Sequence, residues 1–384
     1  MKKIIEFIRD PGSRAVGLIF MSMSIVFGAW VTRLPELQLK LHMSEGRLGL
    51  ALFAMPLGAI LLLPFYTRIL EHLGERKSTW LGLGLFLPLI CITGLMPNFR
   101  ALCLNLLLVG MAMGLTNISM NACATALEKK EKRSLMSACH GFFSLGGMVG
   151  SATSSMFIGL GLNSFYHILC WVVVLGICVT RSSGHLIDDD NRGKSKSEFL
   201  WPPKSVVSLA LIGFCIMLGE GAITDWSTIY MKQSQAAPTT IASFGFAAFA
   251  GCMAIGRFFG DQLIESWGSL KMLLLGCLLG ILGLLTIQLD GYLWALFGFG
   301  GVGLGFSVIV PTLISQSAKQ RGIKPSAGIT SVASSGYIGL LIGPVLIGFI
   351  AEHWGIDYGF TFITGLSVLA FLVVLLMRKS IVVH

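Results

Sequence analysis

The second half of this chain repeats its first half, and both halves consist mostly of apolar runs long enough to cross a bilayer. Runs such as Ala15–Trp30, Leu48–Phe65 and Phe360–Met377 come close to the roughly 20 residues that a spanning helix needs. Matching features recur in the same order in the two halves, separated by about half the length of the chain. A repeat of this kind predicts two similar bundles of membrane helices, related by an axis along the membrane normal.

Composition agrees with a membrane fold, because only 12% of the residues are charged, against about 25% in a soluble protein. We predict an all-α membrane protein of twelve spanning helices in two pseudo-symmetric six-helix bundles. The N-terminal bundle covers residues 1–180, a cytoplasmic linker covers 181–204, and the C-terminal bundle covers 205–384. The predicted spans are 15–33, 47–66, 78–97, 101–126, 134–156, 164–180, 205–226, 241–260, 272–289, 292–317, 326–350 and 359–377.

The net charge of +9 comes from loops on one side of the predicted membrane. Five of the 28 Lys and Arg residues fall on the other side or its edges, namely Arg33, Lys40, Arg47, Arg100 and Lys232. An excess of basic residues in cytoplasmic loops is the usual signature of membrane orientation, so we expect both termini to be cytoplasmic. This distribution also argues against nucleic-acid binding.

The repeat is visible residue by residue. Inner-loop residues Thr67–Lys77 match Asp261–Lys271, with Glu71 opposite Glu265. The glycines match as well: Gly74 with Gly268, Gly28 with Gly221, Gly146 with Gly339, and Gly150 with Gly343.

Over essentially its full length the chain resembles the major facilitator superfamily. Glu71, Gly74 and the basic pair Arg76-Lys77 stand at the positions of the inner-loop motif of that superfamily, although His72 replaces its usual arginine. Segments that resemble the YbjJ-type bacterial branch, near the fucose permease-like symporters, are Gly28–Pro35, His140–Gly146 and Glu220–Ser227. The resemblance implies a secondary transporter that works by alternating access, with a substrate site between the two halves.

Two acids, Glu220 and Asp225, lie inside predicted spans, both on span seven. A charged residue at mid-membrane costs at least about 2.5–3.5 kcal/mol and therefore usually has a function. Burial makes a carboxyl group easier to protonate, so we predict Glu220 as the proton carrier, with Asp225 as a second coupling group. The alternative is a carboxylate locked to a neighbouring helix.

Charged residues near the ends of spans are candidates for gates. Arg33 ends span one and Asp225 occupies almost the corresponding place in span seven, so the family resemblance suggests that they latch the outer side. The alternative is two interfacial charges facing water. The predicted inner gate contains Arg257, Asp261 and Glu265, with Glu71 as the matching acid in the first half.

Five further residues are predicted to contact substrate. Asn117 and Asn121 share one face of span four, where amides can bind a hydroxylated solute or clamp two helices together. His140 can bind substrate or form a gate hydrogen bond. Among the aromatic residues, Trp30 and Tyr337 are predicted to line the cavity, whereas Trp226 and Tyr230 are predicted to anchor the membrane boundary.

Other kinds of chemistry have no support in the sequence. The nine cysteines all lie in apolar runs without a CxxC pair, so we expect neither disulfides nor a metal site. There is no GxxxxGK[ST] loop, no HExxH and no GxSxG, so we expect no cofactor and no enzymatic activity.

These observations lead to an expected function. We expect a monomeric, multi-pass protein of the bacterial inner membrane, in contact with lipid, that moves a small, sugar-like polar solute together with protons. One alternative is proton-driven efflux of drugs or amphipathic metabolites. Another is a membrane sensor on the same scaffold that binds ligand without transporting it. Na⁺ remains an alternative coupling ion, because carboxylate and hydroxyl oxygens also bind hard cations.

Overall fold

The computed structural model describes residues 2–133, 135–188, 206–320 and 323–378, without the side chains of residues 2–4, Thr67, Ser183 and Asp261. The chain divides into two compact units, residues 1–194 and 195–384. The predicted linker, 181–204, falls mostly outside the described residues.

The described part of the first unit contains seven α-helices. They are α1 (Lys2–Arg9), α2 (Pro11–Val31), α3 (Leu34–Lys40), α4 (Glu45–Cys91), α5 (Phe99–Glu131), α6 (Met136–Gly159) and α7 (Ser164–Ser182). Helix α4 carries two spans, separated at Gly74 by a non-helical backbone conformation with φ 82° and ψ 166°. Side-chain caps start several of these helices: Ser44 accepts a hydrogen bond from the Arg47 amide, and Asn98 accepts one from the Ala101 amide.

The described part of the second unit contains eight α-helices. They are α8 (Val207–Gln233), α9 (Thr239–Ala242), α10 (Phe244–Trp267), α11 (Ser269–Ile287), α12 (Tyr292–Phe306), α13 (Ile309–Ala318), α14 (Pro325–Trp354) and α15 (Ile356–Leu376). Helices α12 and α13 together form one span, Tyr292–Ala318.

Eleven segments of the described chain are long and apolar enough to cross a membrane. The one predicted span missing from these eleven is the fifth, which corresponds to α6. This helix has 24 residues but is rich in glycine and serine and is therefore less apolar. The small residues of α6 serve close packing, which is how membrane helices associate without a hydrophobic driving force between them. The predicted all-α architecture of two repeated six-helix bundles is confirmed.

Helices α2 and α6 pack against each other through glycines of α6, along a line of contact that we call a seam. A Cβ atom added to Gly146 would lie 2.5 Å from the carbonyl oxygen of Met21, and one added to Gly150 would lie 1.9 Å from that of Ile25. Only a residue without a side chain fits at such a distance from another backbone. The two helices are therefore in direct backbone contact.

The seam between α8 and α14 in the second unit repeats this arrangement. A Cβ atom at Gly339 would lie 2.4 Å from the carbonyl oxygen of Phe214, and one at Gly343 would lie 3.0 Å from that of Leu218. The glycines and the carbonyls that they approach share a single sequence offset between the two units, since position 146 becomes 339 and position 21 becomes 214. The sequence repeat is thus a repeat of packing.

The N-terminal segment is helical, although the sequence predicted only a basic loop before the first span. Phe7 of α1 is 2% exposed and stacks on Phe142 of α6, with ring centroids 5.1 Å apart. Next to it, Asp10 accepts a hydrogen bond from the Ser13 amide and forms a 3.2 Å ion pair with Arg133. The start of α2 is therefore tied both to α6 and to the turn before it.

The ion pair of Asp10 predicts a pH dependence of stability. Burial tends to raise the pKa of this carboxyl group, but the hydrogen bonds from Ser13 and the charges of Arg133 and Lys130 outweigh burial and lower the pKa from its ordinary 3.8. The resulting stabilisation is complete above the pKa of the unfolded chain and is lost as pH falls through the lower pKa of the folded protein. Asp10→Asn should therefore lower the melting temperature at neutral pH, and the difference from wild type should shrink as the pH falls below 3.8 and vanish below the pKa of the folded protein.

Candidate functional site

An ion pair lies at mid-depth in the second unit. Glu220 is the central residue of α8, and Arg257 lies ten residues before the end of α10. The Nη2 atom of Arg257 is 3.2 Å from the Oε1 atom of Glu220, and the side chains are 17% and 21% exposed, respectively. A buried ion pair this far from either helix end is costly unless the charges satisfy one another.

Glycines hold both charged residues in place. Gly221 follows Glu220 and brings α8 against α14, since a Cβ atom there would lie 2.9 Å from Leu340 Cδ1. Gly256 precedes Arg257 and brings α10 against the α12–α13 junction, since a Cβ atom there would lie 2.0 Å from Ser307 Oγ. The backbone beside each charge is therefore fixed by helix packing.

Asp225 lies one and a half turns beyond Glu220 on α8, about 7.5 Å along the helix axis. The Asp225 side chain is half-buried, and no described residue forms an ion pair or hydrogen bond with it. Between the two acids, the Thr224 hydroxyl donates to the backbone carbonyl of Glu220 at 2.8 Å. Asp225 is eight residues from the end of α8, so it lies deeper than the sequence indicated.

The predicted aromatic residues of the second unit differ widely in exposure. Tyr337 on α14 is 60% exposed, next to Gly336, which packs on Met217 of α8. Trp226 and Tyr230 are both fully buried, so the prediction that they anchor the membrane boundary is wrong. Tyr230 instead donates a hydrogen bond to the Ile287 carbonyl and packs on Phe360, with ring centroids 4.1 Å apart. These two residues are packing groups within the second unit.

The two amides of span four lie together on α5, as their spacing predicted. The Nδ2 atom of Asn121 donates to the backbone carbonyl of Asn117 at 2.7 Å and to its Oδ1 atom at 2.9 Å. Both side chains are half-buried. Each bond to the side chain is local to α5, so the pair is held in one orientation before any ligand arrives.

Trp30 and His140 occupy different environments in the first unit. Trp30 is 3% exposed and packs on Phe27, with centroids 5.7 Å apart, which favours a packing role over contact with solute. His140 is half-buried, stands edge-on to Phe20 at 5.5 Å and makes a further contact. The structure brings neither residue into hydrogen-bonding contact with the two asparagines among the interactions that it describes.

Arg33, which was predicted to latch with Asp225, forms an ion pair with Glu36 in its own unit. The Arg33 Nη1 atom is 3.0 Å from Glu36 Oε2, and Nη2 donates to the Leu162 carbonyl at 3.1 Å. Glu36 also accepts hydrogen bonds from the amide and hydroxyl of Ser164. Glu36 lies three residues away on α3, so the two side chains meet as soon as the helix forms. The buried Nε atom of Arg33 has no hydrogen-bond partner among the described residues.

The residues of the predicted inner gate on α10 lie at different depths. Arg257 lies about 12 Å, along α10, from Glu265, so it belongs to the mid-depth ion pair and not to the end of the helix. Glu265 and Glu71 are exposed, and Glu71 has a further interaction. The side chain of Asp261 lies outside the described residues.

The sequence analysis missed two groups. Glu36 is the partner of Arg33, which its position three residues on already suggested. His167 on α7 is fully buried, stacks on Phe157 at 4.3 Å, and has no hydrogen-bond partner at either ring nitrogen among the described residues. A search of the described part of the chain finds no group of three His, Cys, Asp or Glu residues that could hold a metal ion.

Comparison with known proteins agrees with this architecture. The family model described as Major Facilitator Superfamily matches residues 15–336. An uncharacterized MFS-type transporter of Yersinia pestis is 31% identical over 347 residues, covering 89% of this chain and 90% of that protein. The membrane protein MosC of Rhizobium meliloti is 28% identical over 369 residues, covering 94% and 89% of the two chains. Among solved structures, the nucleoside transporter NupG has a TM-score of 0.73 at 13% identity, covering 96% of this chain and 99% of that one.

The repeated bundles of spanning helices and the charges within them define a multi-pass membrane transporter. The chain belongs to the major facilitator superfamily, whose model spans most of its length. The likeness to NupG, at 13% identity, is a likeness of fold.

Proposed function

We propose that this protein is a proton-coupled symporter that brings a small polar organic solute across the bacterial inner membrane. The observation that carries the proposal is the half-buried carboxylate of Glu220 at the centre of α8. An acid at this depth is expensive, and the partly exposed side chain leaves it open to proton exchange. A carboxyl group that is charged in one state and neutral in another is what proton coupling requires.

The geometry of the ion pair with Arg257 favours a contact that breaks and re-forms over a permanent link between α8 and α10. Glu220 meets the guanidinium through one oxygen and one nitrogen at 3.2 Å, which is a looser contact than the two parallel bonds that such pairs often form. Breaking this contact by protonation is therefore cheaper than breaking a fully enclosed pair. Asp225, half-buried and without a partner among the described residues, is the candidate for a second protonation site.

The proposed contacts with solute come from the polar residues that the helices leave accessible. The joined amides of Asn117 and Asn121 present hydrogen-bonding groups suited to hydroxyls, His140 adds a ring nitrogen, and Tyr337 offers an exposed ring with a polar tip. These groups fit a polar, hydroxylated molecule better than a lipophilic one.

The proposed topology places both termini in the cytoplasm. Its support is the excess of Lys and Arg in the loops on that side. A cysteine introduced at the C-terminal end should react with a membrane-impermeant maleimide only after the cells are opened, whereas labelling in intact cells would reverse the orientation.

Reconstituted transport tests the proposed function. Purified protein in liposomes should accumulate a hit from a thermal-shift screen of polar solutes when the outside is more acidic, and should not when the pH difference is collapsed. If only lipophilic compounds bind, and leave liposomes against a proton gradient, the protein is an exporter. Binding without flux in either direction would identify a sensor.

A further inference from the structure

Arg257 is a cation that proton coupling by itself does not need. Its guanidinium lies in the middle of α10, ten residues from the end of the helix, and its side chain is 17% exposed. A lone carboxyl group can carry a proton, and adding an arginine beside it makes protonation harder, because the positive charge favours the ionised acid. The presence of Arg257 therefore needs a reason of its own.

A count of charges supplies that reason. While Glu220 is ionised, the pair with Arg257 has no net charge. Protonation of Glu220 adds one positive charge to the site, whatever else contacts Arg257. An uncompensated charge at this depth is disfavoured on the order of 100-fold. Binding a solute with one negative charge restores neutrality, whereas binding a neutral solute does not.

We propose that Arg257 binds the anionic group of the substrate, and that the transported solute is a small hydroxylated organic anion carried together with one proton. This inference rests on the proposed function, since it uses Glu220 as the proton carrier. A proton moves from water to the Glu220 carboxylate. The carboxylate of the solute then replaces Glu220 as the partner of the Arg257 guanidinium. On release, proton and anion leave together and the ion pair re-forms, so the net charge of the site is the same in both states.

The geometry of the pair suits this exchange. Glu220 contacts Arg257 through single atoms, whereas a free carboxylate can orient to form two parallel hydrogen bonds with the guanidinium fork. Both side chains are partly exposed, so a solute reaches them without unpacking a helix. The close helix packing at Gly221 and Gly256 keeps the backbone in place while Arg257 exchanges Glu220 for the solute.

The other titratable groups around Glu220 leave this comparison intact. Asp225 is on the same helix, and its charge is common to the empty and loaded states. Tyr337 on α14 is the titratable group nearest in depth on that helix, and the described parts of α9 and α13 carry none. On α10, Cys252 lies five residues before Arg257 and Asp261 lies one turn after it, and both are common to the empty and loaded states. The remaining charged or titratable residues on helices packed against α8 lie towards helix ends, namely Glu265 on α10, Tyr292 on α12, Glu352 and His353 on α14, and Asp357 and Tyr358 on α15.

Matched ligand pairs test the proposal on the full-length protein. Each hydroxylated carboxylate is compared with its neutral amide: D-gluconate with D-gluconamide, D-glucuronate with D-glucuronamide, and lactate with lactamide. At millimolar concentration at least one anion should raise the melting temperature while its amide does not, and the effect should grow in mildly acidic buffer. An anion moved with one proton should also give no transport current across a supported membrane.

Three variants assign the effect to Arg257. Glu220→Gln should bind the anion with an affinity that no longer depends on pH. Arg257→Lys, which keeps the charge but loses the fork, should bind about tenfold more weakly. The double variant Glu220→Gln/Arg257→Gln removes both charges together, so it avoids an unpaired buried charge, and it should lose the preference for the anion over its amide.

The proposal is overturned if neutral amides bind as well as their carboxylates, if no anion stabilises the protein, or if the double variant keeps the preference. A neutral solute that accumulates with an inward proton current would contradict the anion and leave the proposed symport standing. Anion binding without a response to the pH gradient would instead contradict proton coupling.

Discussion

Replacing Glu220 with glutamine is expected to abolish the accumulation of solute driven by a pH gradient. A symporter that moves one proton per electroneutral event concentrates its solute about tenfold per pH unit, and an amide cannot carry the proton. Downhill exchange of labelled for unlabelled solute should persist, because Arg257 keeps its place on α10. Uptake into liposomes, with and without a pH difference, measures both activities on the same preparation.

Glu352→Gln provides the matched control for this experiment. Glu352 lies near the end of α14 in the same unit and is exposed, so the substitution changes the same functional group away from the proposed site. It should leave the pH-driven accumulation unchanged. If Glu220→Gln still accumulates solute against its gradient, the proton is carried elsewhere, and Asp225→Asn becomes the next variant to measure.

Gly150→Ala is expected to cost about 3 kcal/mol or more of stability, at the upper end of what overpacking usually costs. The added Cβ atom would lie 1.9 Å from the Ile25 carbonyl oxygen and 2.9 Å from the Ala29 amide nitrogen. Both contacts are with backbone, so no side-chain rotation relieves them, and α2 and α6 must separate. The melting temperature in detergent and the monodisperse fraction in gel filtration should both fall.

Gly176→Ala is the corresponding control in the same unit. Nothing lies within 4 Å of the position of its Cβ atom on α7, so the substitution should be neutral or slightly stabilising through helix propensity. Gly343→Ala should fall between the two, since its nearest contact is 3.0 Å. Equal effects at all three positions would mean that backbone contact at the seam does not determine stability.

Much of this fold could be predicted from the sequence, because a small number of rules determines where membrane helices lie. Apolar length determines the spans, and the predicted fifth span, 134–156, differs by only a few residues from α6, Met136–Gly159. The matching glycines of the two halves predicted equivalent positions in the two units. The same glycines form the α2–α6 and α8–α14 contacts. Helix α1 was missed because eight residues with several charges read as a loop, whereas the burial of Phe7 depends on tertiary packing.

The candidate site was harder to predict because depth and partners depend on where each helix ends. Arg257 was predicted to belong to the inner gate, but α10 continues to Trp267 and leaves Arg257 at mid-depth. Arg33 forms an ion pair with Glu36, three residues away in its own unit. Trp226 resembled a boundary aromatic because its span was predicted to end there, whereas α8 runs on to Gln233.

Residues with positive φ angles recur at matching positions in the two units. Residues His42, Gly74 and Gly161 have φ of 49°, 82° and 70°, and each has a counterpart with positive φ in the second unit: Ala236, Gly268 and Gly355, respectively. These three pairs share one sequence offset, which is longer by a single position than the offset between the seam glycines. If both units descend from one duplicated ancestor, single-residue insertions and deletions have accumulated between the spans, while spacing within the packed helices has been inherited unchanged. Within this chain, the length of the segments between the seams and the turns differs by one residue, whereas the register of the seams is the same in both units.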